Sequence, residues 1–177
     1  MFKKDYIFHG IHAKKVNELT AIFDENSRSK LFNRNVDVYI IAPIVGFMYG
    51  NKSEIDRSIP DTAKILTEQL VREYETLKYH YQLIMLLDKE NESSFEKRID
   101  IAFRDFGINP NDKDKLAFNK FVLGGVDKLH EKLIGSATNT EDYFDNLYDF
   151  LEDFEERYNE EDTKNSVLEL CKLAKSY

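Results

Sequence analysis

The chain has 177 residues, 42% of them hydrophobic and 33% charged, with a formal net charge of -8 at pH 7 and a single cysteine. That composition excludes a disordered chain and a disulfide-stapled scaffold, and the length suffices for one domain with its own core. Glycine and proline number only 7 and 3, a scarcity of turn-formers that favours long helices over many short strands.

Asp5-Tyr-Ile-Phe-His9 reads equally as a short strand or an extended lead-in, because five residues carry too little periodicity to choose. From Ile11 the apolar spacing turns helical through Val16, Leu19, Ile22 and Phe23, and polar Asp24 to Lys30 reads as a connection. The stretch Val36 to Gly50 is the one around which the other segments are organised. From Val38 to Tyr49 every residue is apolar, aromatic, glycine or proline, so its surroundings must cover it on nearly all sides. Its β-branched residues suit a buried strand, but Ala42, Gly46 and Gly50 recur every fourth residue and would let a second helix approach closely. A helix is expected, capped by Asn35 or Asp37 and bent at Pro43. The run falls short of the ~20 apolar residues that span a bilayer. With no apolar leader at the N-terminus and one cysteine, a cytosolic protein without membrane contact is expected.

Ser58-Ile-Pro-Asp61 reads as the start of the longest helix, running to Leu87 or Asp88 with an apolar stripe of Leu66, Leu70, Leu77, Ile84 and Leu87 broken at Glu73. Ser93 with Glu96 fits a capping box for a helix carrying Phe95, Ile99, Ala102, Phe103 and Phe106, closed by Gly107. The next helix bears Leu116 to Ile134 and holds Gly124-Gly125 in its middle. Each glycine there costs about 1 kcal/mol relative to alanine, which implies either a close helix crossing or a break. Gly135 to Asn139 is the most linker-like segment. Beyond it Thr140 caps a helix with Phe144, Leu147, Leu151 and Phe154 on one face, and a last helix, roughly Thr163 to Lys175, packs Val167, Leu168, Leu170, Cys171 and Ala174. The expected fold is all-α: a single-domain bundle of six or seven helices around a buried central helix at residues 36–50. Residues 1–135 would form the core domain, and residues 136–177 an acidic helical pair packed on it.

Charge is polarised. Residues 141–162 carry eleven acids against Arg157 alone, so the remainder of the chain is mildly basic. Two binding surfaces are implied. Lys3, Lys4, Lys14, Lys15, Arg28, Lys30 and Arg34, interleaved with Tyr6, Phe8 and Phe32, are a candidate nucleic-acid face. Asp145, Asp149, Glu152, Asp153 and Glu156 are a candidate acidic face for a protein partner.

No glycine-rich phosphate loop, Gly-x-Ser-x-Gly elbow or Glu-x-x-His pair occurs, so no catalytic residue, metal ligand or cofactor is assigned. His9 and His12 lack the further ligands a zinc site needs and read as surface or cap histidines. His80 reads as a hydrogen-bonded helix histidine. Paired with a carboxylate from another helix, it would be the nucleus of a site assembled from distant residues. The central stretch with its Arg34-Asn35-Val36-Asp37 entry resembles small accessory proteins of bacterial DNA-modification or phage-defence loci. That resemblance implies an accessory role beside nucleic acid and assigns no residue. The leading expectation is a non-enzymatic regulatory or accessory protein acting through a protein partner or self-association. The alternatives are accessory nucleic-acid binding and an enzyme with a dispersed site.

Overall fold

The structure, a computed structural model, describes residues 1–106, 112–135 and 137–157. The chain divides into two compact units, Met1–Gly135 and Ser136–Tyr177. The described residues are predominantly helical, but the first unit also contains two small antiparallel sheets, so the all-α expectation is corrected.

In chain order the elements are β1 (Tyr6–His9), α1 (Gly10–Leu19), β2 (Ile22–Asp24), β3 (Ser29–Lys30), α2 (Asn35–Met48), β4 (Thr62–Ile65), α3 (Thr67–Arg72), α4 (Tyr74–Leu87), α5 (Phe95–Ile99), α6 (Asp112–Leu133) and α7 (Thr140–Arg157). A π turn over Asp100–Arg104 prolongs α5.

The first sheet overturns the long helix expected from Pro60 onward. Thr62–Ile65 pairs antiparallel with Tyr6–His9, placing Tyr6 opposite Ile65 and Phe8 opposite Ala63. The reason is a period of two: Ala63 and Ile65 are buried while Thr62 and Lys64 face water. The helical remainder is itself split at Glu73, where the apolar stripe breaks, and Glu73 pairs with Arg34 at 3.3 Å. The second sheet takes Ile22 and Phe23 out of α1 into a short hairpin. Its turn is held by the Asp24 carboxylate, which accepts from the Asn26 N–H at 3.0 Å and the Ser27 hydroxyl at 2.5 Å.

α2 forms over the central stretch, as its small-residue spacing predicts, but its N-cap is Arg34, whose N–H is accepted by Asp37 at 2.9 Å. Pro43 lies inside the helix. It leaves the Tyr39 carbonyl without its usual donor and loosens the turn before it. One residue on, Ile40 offers its carbonyl to His80 Nδ1 at 3.0 Å, which ties α4 to α2 at the proline. The enclosure of α2 is partial: Val36, Val38, Tyr39, Ala42, Val45 and Gly46 are buried, but Ile41 is 41% exposed and Ile44 and Met48 are half-buried.

Its main partner is α6, which continues unbroken through Gly124-Gly125. A Cβ on Gly125 would overlap the Ala42 carbonyl, and one on Gly46 would overlap the Phe121 carbonyl. A Cβ on Gly124 would collide with the Asn51 carbonyl in the same way. The two backbones touch directly, and the glycines are there because no other residue fits. Beside this crossing, aromatic rings from β1, α2, α4 and α6 fill the core. The Tyr6 and Tyr39 ring centroids are 4.5 Å apart, those of Tyr6 and Phe8 4.9 Å, and those of Tyr81 and Phe118 5.5 Å.

α5 starts one residue later than its expected cap, with Ser94 rather than Ser93 accepting from the Lys97 N–H. The expected helix end at Gly107 and the helix expected at roughly Thr163 to Lys175, with Cys171, lie outside the described residues. No helix among the described residues is long and apolar enough to cross a membrane.

Candidate functional site

Three of the seven basic candidates have acidic partners within reach. Lys15 donates to Asp127 at 2.7 Å, Arg34 forks onto Asp37 and reaches Glu73, and Lys14 lies 3.9 Å from Glu18. Arg28 and Lys30 sit on the β2–β3 hairpin, and Lys3 and Lys4 lie ahead of β1. These seven thus come from the segment ahead of β1, from α1, from the β2–β3 hairpin and from the N-cap of α2.

Lys15 leads to the principal polar cluster of the first unit. β1 runs into α1 at Gly10, whose positive φ of 58° suits glycine, and whose missing side chain leaves room for Asp56 from the loop after α2. Asp56 accepts the Ile11 N–H at 2.8 Å and the Ser58 hydroxyl at 2.9 Å, pinning that loop across the start of α1. Within the first turn of α1, His12 is only 5% exposed, which corrects its reading as a surface histidine. Its Nε2 lies 3.5 Å from Asp127 of α6, and its Nδ1 is buried with no hydrogen-bond partner. Burial works against ionising Asp127. Hydrogen bonds from His12, Lys15 and Ser53, the last at 2.5 Å, prevail and hold its carboxyl well below the usual range. Serine, histidine and aspartate thus meet, but both Ser53 and His12 point at the carboxylate. A nucleophilic serine would instead donate to the histidine.

Two cavities flank the Tyr6–Asn119 pair, in which the tyrosine hydroxyl donates to the Asn119 side-chain oxygen at 2.5 Å. The larger, of about 580 Å³, is walled by Phe2, Tyr39 and Phe118 and rimmed by Lys3, Lys4 and Lys115, with Lys115 held by Asp112 at 2.9 Å. Burial pushes the Tyr39 hydroxyl well above its ordinary pKa, so it stays protonated and serves as a neutral polar tip in an aromatic wall. The smaller cavity, of about 120 Å³, is lined by His9, His12, Arg57 and Asn119 among apolar neighbours.

The other histidines have identifiable structural tasks. Burial lowers the pKa of His80, opposed by its bond to the Ile40 carbonyl, and no carboxylate completes a dyad there among the described residues. His130 bridges α6 to α1 through Glu18 at 2.5 Å. Among the described residues no group of three or more His, Cys, Asp or Glu is arranged to hold a metal ion.

In the second unit, α7 begins at a cap in which the Asp142 carboxylate accepts the Thr138 N–H at 2.6 Å and the Asn139 N–H at 3.1 Å. Its apolar arc is broader than the part that is covered. Phe150 is buried and Tyr143 and Phe154 are half-buried, but on the adjacent face Leu147, Tyr148 and Leu151 are 36%, 67% and 57% exposed. Of the five carboxylates proposed for a partner, Asp145, Asp149, Glu152 and Glu156 are exposed or half-buried on the same helix, and Asp153 is half-buried.

Sequence reasoning missed the Asp127 cluster because its four members come from α1, the loop after α2 and α6, more than a hundred residues apart at the extreme. The signal available was Gly10 between two histidines, which marks a tight turn. Comparison of the chain with protein-family models, with curated proteins and with solved structures finds no match.

Proposed function

We propose that this protein is a non-catalytic helical module, regulatory or accessory in role, that acts through protein–protein contact with α7 as its recognition helix. The observation that carries this reading is the exposure of Tyr148 and Leu151, 67% and 57%, beside the exposed carboxylates Asp145, Asp149 and Glu152. A leucine taken fully out of water contributes about 1.5–3 kcal/mol, so a helix leaving such residues in solvent gains affinity wherever a groove covers them. The occupant that fits is a partner protein with an apolar groove rimmed by lysine or arginine, since the flanking carboxylates repel a phosphate backbone or an anionic bilayer. Nucleic-acid binding is the weaker reading because Lys15 and Arg34 are engaged by Asp127, Asp37 and Glu73.

The test is photo-crosslinking from position 148 in native lysate, with a parallel probe at position 78 on α4. One dominant adduct from position 148 is expected, absent with the position 78 probe, abolished by Leu151→Glu and weakened by added salt. Adducts shared by both probes, adducts unaffected by Leu151→Glu, or a crosslink only to a second copy of this chain would each overturn the reading.

A further inference from the structure

The larger cavity, of about 580 Å³, lies in the range of roughly 300–1,000 Å³ that small-molecule sites occupy. Phe2 is turned into its wall by a backbone φ of 59°, an uncommon value for a residue with a side chain. That turn buries the Phe2 ring and leaves Lys3 and Lys4 beside it in solvent. The ring meets Tyr39 and Phe118 edge to face, with centroids 6.4 and 6.0 Å away.

Tyr39 carries the argument. The residue is only 3% exposed, yet its hydroxyl makes no hydrogen bond among the described residues. Tyr6, whose ring centroid lies 4.5 Å from that of Tyr39, commits its own hydroxyl to Asn119 at 2.5 Å and leaves Tyr39 unserved. A buried hydroxyl without a partner costs stability, so its retention needs a reason that packing does not give. The oxygen is not sealed inside the protein. Among the described residues the polar side-chain atoms both closed off and unpartnered are His12 Nδ1 and Asp88 Oδ2, whereas Tyr39 lines this cavity. At the mouth, the lining carboxylate of Asp112 is taken by Lys115 at 2.9 Å. Lys3 and Lys4 have no ionic partner among the described residues, which leaves the mouth positive.

We infer that this cavity is a binding site for a small aromatic acid of one or two fused rings. The ring extends the edge-to-face set of Phe2, Tyr39 and Phe118, a contact that favours an aromatic over an aliphatic body of equal area. An oxygen on the far side of the ring pairs with the Tyr39 hydroxyl, which can donate or accept. The carboxylate stays at the mouth beside Lys3 and Lys4, partly hydrated, so the charges contribute less than the buried contacts. All of these residues belong to the first unit, and the inference is independent of the role given to α7.

The experiment is calorimetric titration of the full chain with three probes: a naphthoate bearing a hydroxyl across the rings from its carboxylate, the same naphthoate without the hydroxyl, and naphthol. Saturable one-to-one binding is expected, tightest for the hydroxynaphthoate. Tyr39→Phe should weaken the hydroxynaphthoate about fivefold, the value of one hydrogen bond, and leave the unsubstituted naphthoate unchanged. The same variant should unfold at the wild-type temperature or above, because it removes a hydroxyl that has no partner in the free protein. Replacing Lys3 and Lys4 together by alanine should weaken both acids about fivefold and leave naphthol unchanged. Arg28→Ala, on the hairpin and outside the cavity lining, should alter none of the three. No saturable binding of any probe, or decanoate binding as tightly as naphthoate, would overturn the inference. So would a Tyr39→Phe variant that loses both acids equally and unfolds at a lower temperature, since the hydroxyl would then be structural.

Discussion

The crossing of α2 with α6 and the junction of β1 with α1 both join distant parts of the chain, by opposite means. At the crossing the side chains have been removed: Gly46, Gly124 and Gly125 let backbone touch backbone, so the contact holds no ionisable group and is indifferent to pH. At the junction side chains do the joining, with His12, Lys15 and Ser53 converging on Asp127. The first kind of contact leaves no room for an added atom. The second depends on an ionised carboxylate, so only the second responds to pH.

The comparison breaks most severely at the crossing. Gly125→Ala places a methyl on the Ala42 carbonyl, where backbone cannot yield cheaply, and should cost about 4 kcal/mol or prevent folding, as read by urea denaturation. Gly50→Ala is the control. It meets nothing within 4 Å but carries a φ of 62°, and should cost only about 1 kcal/mol from backbone strain. Equal losses in the two variants would show that the crossing is not crowded.

At the junction, Asp127→Asn keeps the volume but removes the negative charge and one of the two oxygens on which Lys15, Ser53 and buried His12 converge. With the carboxylate 25% exposed, the cost should be about 2 kcal/mol at pH 7. Because the folded chain favours the ionised carboxyl, this contribution is present above the ordinary aspartate value of 3.8 and is lost as pH falls through the depressed folded value. The gap between wild type and variant should therefore close in strong acid, and a gap undiminished through that acid range would contradict the assignment.

The smallest effect concerns His80. Burial lowers its pKa, so the folded chain prefers the neutral imidazole that donates to Ile40. Its contribution is intact above 6.5 and declines as pH falls through that value. His80→Gln keeps a donor and removes the titration, and should flatten the stability profile between about pH 7 and 5. An unchanged slope would place the titrating group elsewhere.

Much of the helical framework is legible in the residues alone. The apolar stripe with its interruption at Glu73, the four-residue repeat of Ala42 and Gly46, and the paired glycines of α6 each carry a local signal that the structure uses. The strand at Thr62–Ile65 has its own signal in the alternation of Ala63 and Ile65 with Thr62 and Lys64, but Pro60 beside it imitates a helix start and masks it. Nothing local marks His12, since burial of one histidine depends on which elements come to lie over it.

What the sequence determines by itself is the placement of apolar, charged and turn-forming residues along each segment, because helix and strand periods are local properties of the backbone. Tertiary structure alone decided that Gly125 meets Ala42 and that His12 meets Asp127. Those contacts arise from the packing of elements far apart in the chain, and no short-range spacing encodes which carboxylate will be waiting when they meet.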